Sequence, residues 1–319
     1  MSRVLLLLVL LGIAGCAADP GARTVSGVCP LIRMATVPVE AHGNMLLVHA
    51  TISGAPVTLL VDTGAERTLL TEAAVDRLHL PRDYQHATRT YGIGSPTASW
   101  DADLPNGMVL GGTHFPVDSV TVGKFGMMQV AGGTPDGLLG ADILLAFDLD
   151  LNLPAHQITL YRARRDCPNA APPWTEAYIG VAGIITKRDR LLVPFELDGV
   201  HGLGVLDTGA QLSSISQSMA ERMGLADGEM SDDRTVLAHG AAPDQVTVRI
   251  HRFHELRIGP AIINQPALPV VPMSSGMGDA LVGADFLQGR RAWLSFSTQR
   301  VFVTPLARGP WIAATQSGD

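Results

Sequence analysis

The chain has 319 residues, of which 46% are hydrophobic and 17% are charged, and its formal net charge is −7. This composition can bury a sizeable core, which argues against a chain that is disordered along its length. The acidic balance, without a Lys/Arg cluster, also argues against nucleic acid as a partner. Its 34 glycines and 21 prolines favour short strands and turns, so we expect an all-β fold with short helices.

A signal sequence is predicted at the N-terminus. Arg3 precedes an uninterrupted apolar run, Val4–Ile13, which is too short to span a bilayer (about 20 residues) but fits the hydrophobic region of a signal peptide. The following Ile13-Ala14-Gly15-Cys16 resembles the lipobox of bacterial lipoproteins. That resemblance implies cleavage before Cys16, lipidation of its thiol and a cell-envelope location. Ala17, in place of Asp, favours the periplasmic face of the outer membrane over the inner membrane. The alternative is a plain secretory signal with an incidental cysteine.

An internal repeat organises the rest of the chain. Leu46–Leu80 aligns without a gap on Leu191–Leu225, with ten of 35 positions identical, and both copies contain the tetrapeptide Asp-Thr-Gly-Ala. A second match aligns Asp136–Leu144 with Asp279–Leu287, and each of these segments contains a hydrophobic-hydrophobic-Gly element. Because two such matches in the same order indicate duplication, the sequence predicts two homologous lobes.

Each repeat predicts the same local structure. Two β-rich runs, Leu46–Ile52 and Val57–Val61 in the first copy, form a hairpin that leads to the Asp-Thr-Gly-Ala turn. A short helix follows, with Thr71 or Ser216 at its N-cap and Gly224 as the C-cap signal in the second copy. The closing strands are expected at Gln157–Tyr161 and Arg300–Val303. The predicted boundaries are a signal peptide at 1–15, a tether or pro-segment at 16–34, lobes at 35–165 and 185–308, a linker at 166–184 and a tail at 309–319.

The two remaining cysteines, Cys29 and Cys167, lie near the two ends of the first lobe. In an oxidising compartment they can form a disulfide that closes that lobe. Two free thiols are the alternative. Neither cysteine belongs to a Cys-x-x-Cys pair, which argues against a metal-binding or catalytic role.

The repeated aspartates, Asp62 and Asp207, predict a catalytic pair. In each copy an apolar strand delivers the aspartate to a tight turn of Thr, Gly and Ala. Two carboxyl groups that face each other about 3 Å apart share one proton over a broad pH range, because both cannot ionise easily. The ionised member can take a proton from water while the protonated member polarises a peptide carbonyl. The sequence does not assign these roles, since the pKa values belong to the pair.

The doubled motif resembles the aspartic peptidase superfamily. Each lobe is similar to the retropepsin-like domain, and the pair to bilobal pepsin-like enzymes with a pseudo-twofold axis and a cleft between lobes. The resemblance implies that Asp62 and Asp207 are catalytic and that Tyr91-Gly92-Ile93-Gly94 is a flap over the substrate, with His239 and Gly240 in the comparable region of the second lobe. The residues implied to support the aspartates are Thr63, Gly64, Ala65, Thr208, Gly209 and Ala210.

The resemblance has departures and alternatives. Pepsin-like enzymes usually carry Ser or Thr at the positions of Ala65 and Ala210; without that hydroxyl we expect higher dyad pKa values and activity at mildly acidic pH. Asp142 and Asp285 recur in both copies and are interpreted as structural, capping the segments that follow them. The histidines near 251–255 lack the helical HExxH pattern, so no metal or other cofactor is expected.

Two functions remain open from the sequence. The first is an aspartic endopeptidase that cleaves peptide or protein substrates, for which one chain supplies both lobes and a monomer suffices. The second is a non-catalytic, peptidase-like binding module of the cell envelope. The linker is also long enough for lobes to pair between chains, although pairing within one chain avoids the cost of association.

Overall fold

The computed structural model describes residues 31–90, 97–123, 133–163, 171–225, 228–240, 245–274 and 276–305. Over these ranges the chain forms three β-sheets with four short α-helices, which confirms the predicted all-β class. Cys16, Cys29 and Cys167 lie outside the described residues, as do Tyr91, Gly92 and Gly94 of the predicted flap. No helix within the described ranges is long and apolar enough to cross a bilayer.

The first lobe consists of strands with two α-helices and one 3-10 helix. Its elements are β1 (Leu31–Pro38), β2 (Glu40–His42), β3 (Met45–Ile52), β4 (Ala55–Val61), β5 (Leu69–Thr71), α1 (Glu72–Leu78), β6 (Arg82–Thr90), β7 (Thr97–Asp103), β8 (Met108–Leu110), β9 (Thr113–Phe115), β10 (Ser119–Gly123), β11 (Gly137–Leu139), α2 (Ala141–Leu144), β12 (Asp148–Asn152), a 3-10 helix (Leu153–Ala155) and β13 (Gln157–Ala163).

The second lobe repeats this plan. Its elements are β14 (Ile179–Ala182), β15 (Ile184–Ile185), β16 (Leu191–Leu197), β17 (Val200–Leu206), β18 (Ser214–Ser216), α3 (Gln217–Arg222), β19 (Arg234–His239), β20 (Gln245–Arg252), β21 (Glu255–Ile258), β22 (Ala261–Asn264), β23 (Ala267–Val271), β24 (Ala280–Val282), α4 (Ala284–Leu287), β25 (Arg291–Ser295) and β26 (Arg300–Val303).

The two lobes have the same strand order in their ten-stranded sheets. The first runs β6-β7-β10-β5-β11-β4-β3-β8-β9, with β2 on β3, and the second runs β19-β20-β23-β18-β24-β17-β16-β21-β22, with β15 on β16. In each sheet the strand that leads to the aspartate pairs in parallel with the hydrophobic-hydrophobic-Gly strand. This pairing brings together, in each lobe, the two sequence elements that the repeat shares: the Asp-Thr-Gly-Ala turn and the hydrophobic-hydrophobic-Gly strand.

A six-stranded sheet joins the lobes. Its order is β1-β13-β12-β25-β26-β14, with three strands from each lobe. At its centre β12 pairs antiparallel with β25, so that Leu149 lies opposite Leu294 and Leu151 opposite Ala292. The pseudo-twofold axis therefore passes between β12 and β25.

The segment predicted as a linker, residues 166–184, contains part of this sheet. Its strand β14 pairs with β26 in the second lobe, in the place that β1 takes beside β13 in the first. Trp174 from the same segment is buried against Trp293, with ring centroids 6.4 Å apart. The Pro-rich, charged composition of this segment predicted a linker. In the structure, its strand β14 occupies the edge of the six-stranded sheet beside β26.

The helix ends follow the sequence signals. The Thr71 side chain accepts a hydrogen bond from the Ala74 amide, and the Ser216 side chain accepts one from the Met219 amide, which confirms both N-caps. Gly224 follows α3 with φ of +83°. Both helices pack against their sheets through buried residues such as Val75 and Met219.

Candidate active site

The two Asp-Thr-Gly-Ala turns lie at the ends of β4 and β17. The amide of Asp62 donates to the Leu139 carbonyl at 3.0 Å, and that of Asp207 donates to the Val282 carbonyl at 3.0 Å. These bonds tie each aspartate to the hydrophobic-hydrophobic-Gly strand beside it. The repeat therefore fixes both aspartates by the same backbone contact.

Each turn folds its own amides onto the carboxylate. Asp62 Oδ1 accepts from the amides of Gly64 at 3.0 Å and Ala65 at 2.9 Å. The matching bonds in the second lobe run to Asp207 Oδ1 at 2.9 and 3.1 Å. Both carboxyl groups are thus oriented by backbone groups, which have little freedom to move.

Thr63 and Thr208 link the lobes through reciprocal hydrogen bonds. Thr63 Oγ1 donates to the Leu206 carbonyl at 2.6 Å, and Thr208 Oγ1 donates to the Val61 carbonyl at 2.7 Å. Each hydroxyl also accepts from the backbone amide of the other threonine at 3.1 Å. Because both threonines are buried, these bonds are shielded from water and hold the two turns in a fixed relation.

The glycines of the two turns allow the lobes to approach each other closely. A β-carbon on Gly64 would lie 2.4 Å from Cγ of Asp207, and one on Gly209 would lie 2.3 Å from Cγ of Asp62. Neither separation is compatible with a side chain. Each glycine backbone therefore packs directly on the carboxyl group supplied by the opposite lobe.

This geometry shifts the proton affinity of both aspartates upward. Burial and the charge of Asp207 raise the pKa of Asp62 well above its ordinary value. Burial also raises the pKa of Asp207, against lowering contributions from the Ala210 amide, a hydrogen bond with Asp62 and the charge of Arg190. A facing pair with raised pKa values holds one shared proton, which is the state needed for combined acid and base action.

The recurring Asp142 and Asp285 hold the loop that follows each turn. Asp142 Oδ1 accepts from the Thr68 amide at 2.9 Å and the Thr68 hydroxyl at 2.7 Å, and Asp285 Oδ1 makes the same two contacts with Ser213. The helices α2 and α4 have no side-chain N-cap. These contacts agree with a structural role for Asp142 and Asp285. The sequence predicted that each aspartate caps the segment after it, but each also accepts hydrogen bonds from the loop that precedes it.

Two hairpins occupy equivalent positions in the lobes. The first, β6–β7, connects through residues 91–96, which include the predicted flap and lie outside the described residues. The second is β19–β20, where His239 is exposed at the end of β19, with its Nε2 3.4 Å from Nε2 of Gln245. Gly240 follows and is half-buried. Both lobes therefore contain a hairpin at this position; an aromatic tip, Tyr91, is predicted for the first lobe alone.

Arg190 is a site residue that the alignment of the two repeats did not identify. Its Nε donates to the Gly64 carbonyl at 3.0 Å, although it comes from the second lobe. The repeat alignment places Met45 at the same position in the first lobe, so self-comparison gave no signal. In the described part of the chain, no cluster of three or more His, Cys, Asp or Glu residues has the arrangement of a metal site.

Comparison with known proteins agrees with this geometry. The family model described as "Aspartyl protease" matches residues 48–143, and the model described as "gag-polyprotein putative aspartyl protease" matches residues 193–289. Each match falls on one lobe and includes its Asp-Thr-Gly-Ala turn. Each of the two lobes is thus similar to an aspartyl protease domain, and both lie in one polypeptide.

Among the solved structures that match this chain is the aspartic proteinase from Irpex lacteus. It is 11% identical, with a TM-score of 0.49, and the match covers 86% of this chain and 97% of that one. A search of curated proteins gave no significant match.

Proposed function

We propose that the protein is an aspartic endopeptidase in which Asp62 and Asp207 activate water for hydrolysis of a peptide bond. The observation that carries this proposal is the reciprocal contact between lobes, in which each glycine backbone packs on the opposite carboxyl group. Such a contact holds two acidic groups against each other, at a cost in electrostatic repulsion that a purely structural turn would not need.

The chemistry follows from one shared proton. The ionised carboxylate takes a proton from a water molecule between the two groups, and the water oxygen forms a bond to the carbonyl carbon of the substrate. The protonated carboxyl group gives its hydrogen bond, and then its proton, to the carbonyl oxygen. Breakage of the C–N bond follows when a dyad proton passes to the amide nitrogen. A hydroxyl of the tetrahedral diol returns one proton to the dyad as its C=O bond forms, and the products are a carboxylic acid and an amine.

A peptide-binding module without catalysis is the competing function. Both aspartates, both threonines and their hydrogen bonds are intact in the chain, which supports hydrolysis. In each lobe the outermost strand of the ten-stranded sheet, β6 or β19, belongs to such a hairpin, which supports an extended peptide as the bound ligand, because such a peptide can pair with the edge of a sheet.

The test is hydrolysis of a mixed peptide library between pH 3 and 7 by protein that starts after Cys16. We expect cleavage that pepstatin inhibits, and a loss of about 10³-fold or more for Asp62→Asn or Asp207→Asn, since each removes one half of the acid–base pair. The optimum should be mildly acidic, because burial raises both pKa values. Full activity in either variant, or a maximum below about pH 3, would contradict the proposal. A folded wild type that cuts nothing would favour the binding module.

We also propose a cell-envelope location, with the mature protein anchored through lipid on Cys16. The support is the apolar run and lipobox in the sequence. Incorporation of labelled palmitate in a bacterial host should occur in the wild type and not in Cys16→Ala.

For the disulfide between Cys29 and Cys167, the support is that β1 begins two residues after Cys29 and β13 ends four residues before Cys167, with Leu31 opposite Ala163. Intact mass without reductant should be 2 Da lower than after reduction, a difference of two hydrogens per disulfide.

A further inference from the structure

Each lobe reaches the other through one short connection between strands. In the first lobe this is the turn between β2 and β3, which contains Gly43 and Asn44. In the second lobe it is the connection between β15 and β16, which contains Arg190. The side chain of Asn44 donates through Nδ2 to the Gln211 carbonyl at 2.8 Å, and that of Arg190 donates through Nε to the Gly64 carbonyl at 3.0 Å. Each side chain therefore binds the backbone segment that follows the repeated aspartate of the opposite lobe.

The two contacts differ in chemistry. Arg190 is a cation, and its Nη2 lies 3.1 Å from Oε1 of Glu66. The contact from the first lobe is made by neutral amides instead. Gln288 of the second lobe donates through Nε2 to Oδ1 of Asn44 at 2.7 Å and to the Gly43 carbonyl at 3.2 Å. Asn44 thus has partners in the second lobe on both sides of its amide group.

The direction of these amide hydrogen bonds is fixed by the backbone at both ends. The carbonyls of Gly43 and Gln211 can only accept hydrogen bonds, so an amide nitrogen must face each of them. Nδ2 of Asn44 therefore faces Gln211, and its Oδ1 faces Nε2 of Gln288. A side chain at position 44 that cannot donate would break the contact with Gln211.

The Gln211 carbonyl belongs to the segment that orients Asp207. The Ala210 amide donates to Oδ1 of Asp207 at 3.1 Å, and the Ala210 carbonyl accepts from the amide of Ala284 at 2.8 Å. The next carbonyl along the chain is that of Gln211, which is bound from the other lobe by Asn44. Displacement of Gln211 would therefore move the Ala210 amide, and with it the carboxyl group of Asp207.

We propose that Asn44 is a positioning residue, which holds the segment after Asp207 from the first lobe, as Arg190 holds the segment after Asp62 from the second. This inference rests on the proposed peptidase function, because it concerns the relation between the two carboxyl groups of the dyad. Crossed contacts of this kind let each lobe fix the carboxyl group that the other supplies. The alignment of the repeats does not reveal this relation, because it places Asn44 opposite Asp189.

The test removes the donor without changing the shape of the side chain. Asn44→Asp keeps the acceptor for Gln288 and loses the donor to Gln211, so kcat should fall by about 10–100-fold while KM changes little. Because this change also adds a negative charge, Gln288→Leu serves as a neutral variant: it removes the donor that orients Asn44, and Leu145 is the aligned residue of the first lobe. It should lower kcat by a smaller factor. Asn264→Asp, the same change at an exposed position of β22 in the second lobe, should leave kcat and KM unchanged.

Amide hydrogen exchange, followed by NMR on 15N-labelled protein, reports on the dyad without a substrate. Asn44→Asp and Gln288→Leu should accelerate exchange at Ala210 by about tenfold, as expected when one hydrogen bond that opposes local opening is lost, and should leave Ala65 unchanged. Arg190→Met should do the reverse, because the Ala65 amide belongs to the peptide unit whose carbonyl accepts from Arg190. A contact that only stabilises the fold would accelerate both amides alike and leave kcat unchanged.

A lower kcat together with faster exchange at Ala210 alone supports the proposal. An unchanged kcat in folded Asn44→Asp, or equal acceleration at Ala210 and Ala65, overturns it. If Asn44→Asp does not fold, Gln288→Leu decides by the same two criteria. If the wild type shows no hydrolysis, the proposed function fails separately, and exchange then decides: selective acceleration at Ala210 supports the role of Asn44, and its absence overturns it.

Discussion

The two lobes use the same residue type where their Asp-Thr-Gly-Ala turns contact each other, and different residue types where their helices α1 and α3 end. Gly64 and Gly209 pack on opposite carboxyl groups at nearly equal separations. By contrast, α1 ends at His79 with φ of +52°, whereas the matching residue after α3 is Gly224 at +83°. The same backbone conformation is therefore reached by two residue types. The contrast teaches that the contact between lobes admits one residue type, while the periphery tolerates several.

The largest expected effect comes from breaking the symmetric contact. Gly64→Ala and Gly209→Ala each place a methyl group against the opposite carboxyl group, so the turns must separate. We expect each variant to lower the free energy of unfolding by about 1–3 kcal/mol, the range for overpacking, and to reduce hydrolysis severely. Because the two contacts are equivalent, the two losses should agree within error.

Urea unfolding and kcat/KM measure both quantities. Gly54→Ala is a control that carries backbone strain without a clash: unlike the two turn glycines, Gly54 has a positive φ (+79°), and its β-carbon would meet nothing within 4 Å. It should cost stability through backbone strain and leave kcat/KM intact. A much smaller loss in one of the two turn variants would show that the lobes do not contact each other symmetrically.

The sequence predicted those parts of the molecule that occur in both copies of the repeat. The doubled Asp-Thr-Gly-Ala turn, the hairpin before it and the N-caps Thr71 and Ser216 all follow from patterns local to the chain. Arg190 could not be found in this way, because its partner Gly64 is 126 positions away and its repeat counterpart is Met45. Strand β14 was missed for a related reason: its partner β26 lies far along the chain, with Ile179 opposite Val303.

A second comparison concerns the carboxylates behind the two turns. Asp285 is 5% exposed, whereas Asp142 is exposed, although both accept hydrogen bonds from the same kinds of groups. Burial raises the pKa of Asp285. Water can replace a lost acceptor at an exposed site but not at a buried one, so Asp285→Ala should cost about 2–3 kcal/mol and Asp142→Ala about 1 kcal/mol.

Equilibrium unfolding in urea, with circular dichroism as the signal, compares these variants. Ser213→Ala removes one donor to Asp285 and should fall between them. Equal losses for Asp142→Ala and Asp285→Ala would show that burial does not distinguish the two sites, and the contrast between the lobes would then not extend to this pair.

The smallest expected effect concerns Ser214, which stands where the first lobe has Leu69. Ser214 is 4% exposed, and within the described residues its hydroxyl has no hydrogen-bond partner. It borders a small cavity lined by apolar side chains such as Phe195 and Leu256. A buried hydroxyl without a partner retains its desolvation cost, so Ser214→Ala should raise the free energy of unfolding by about 0.5–1 kcal/mol.

The control is the same chemical change two residues further along the chain. Ser216→Ala removes the hydroxyl that caps α3 through the Met219 amide at 3.0 Å, so it should lower stability by about 1 kcal/mol. Opposite signs from two identical substitutions in one strand would show that hydrogen bonding, and not size, decides the outcome. A destabilised Ser214→Ala would instead show that bound water satisfies this hydroxyl. The second lobe would then have a hydrated site at the position where the first lobe has the apolar Leu69.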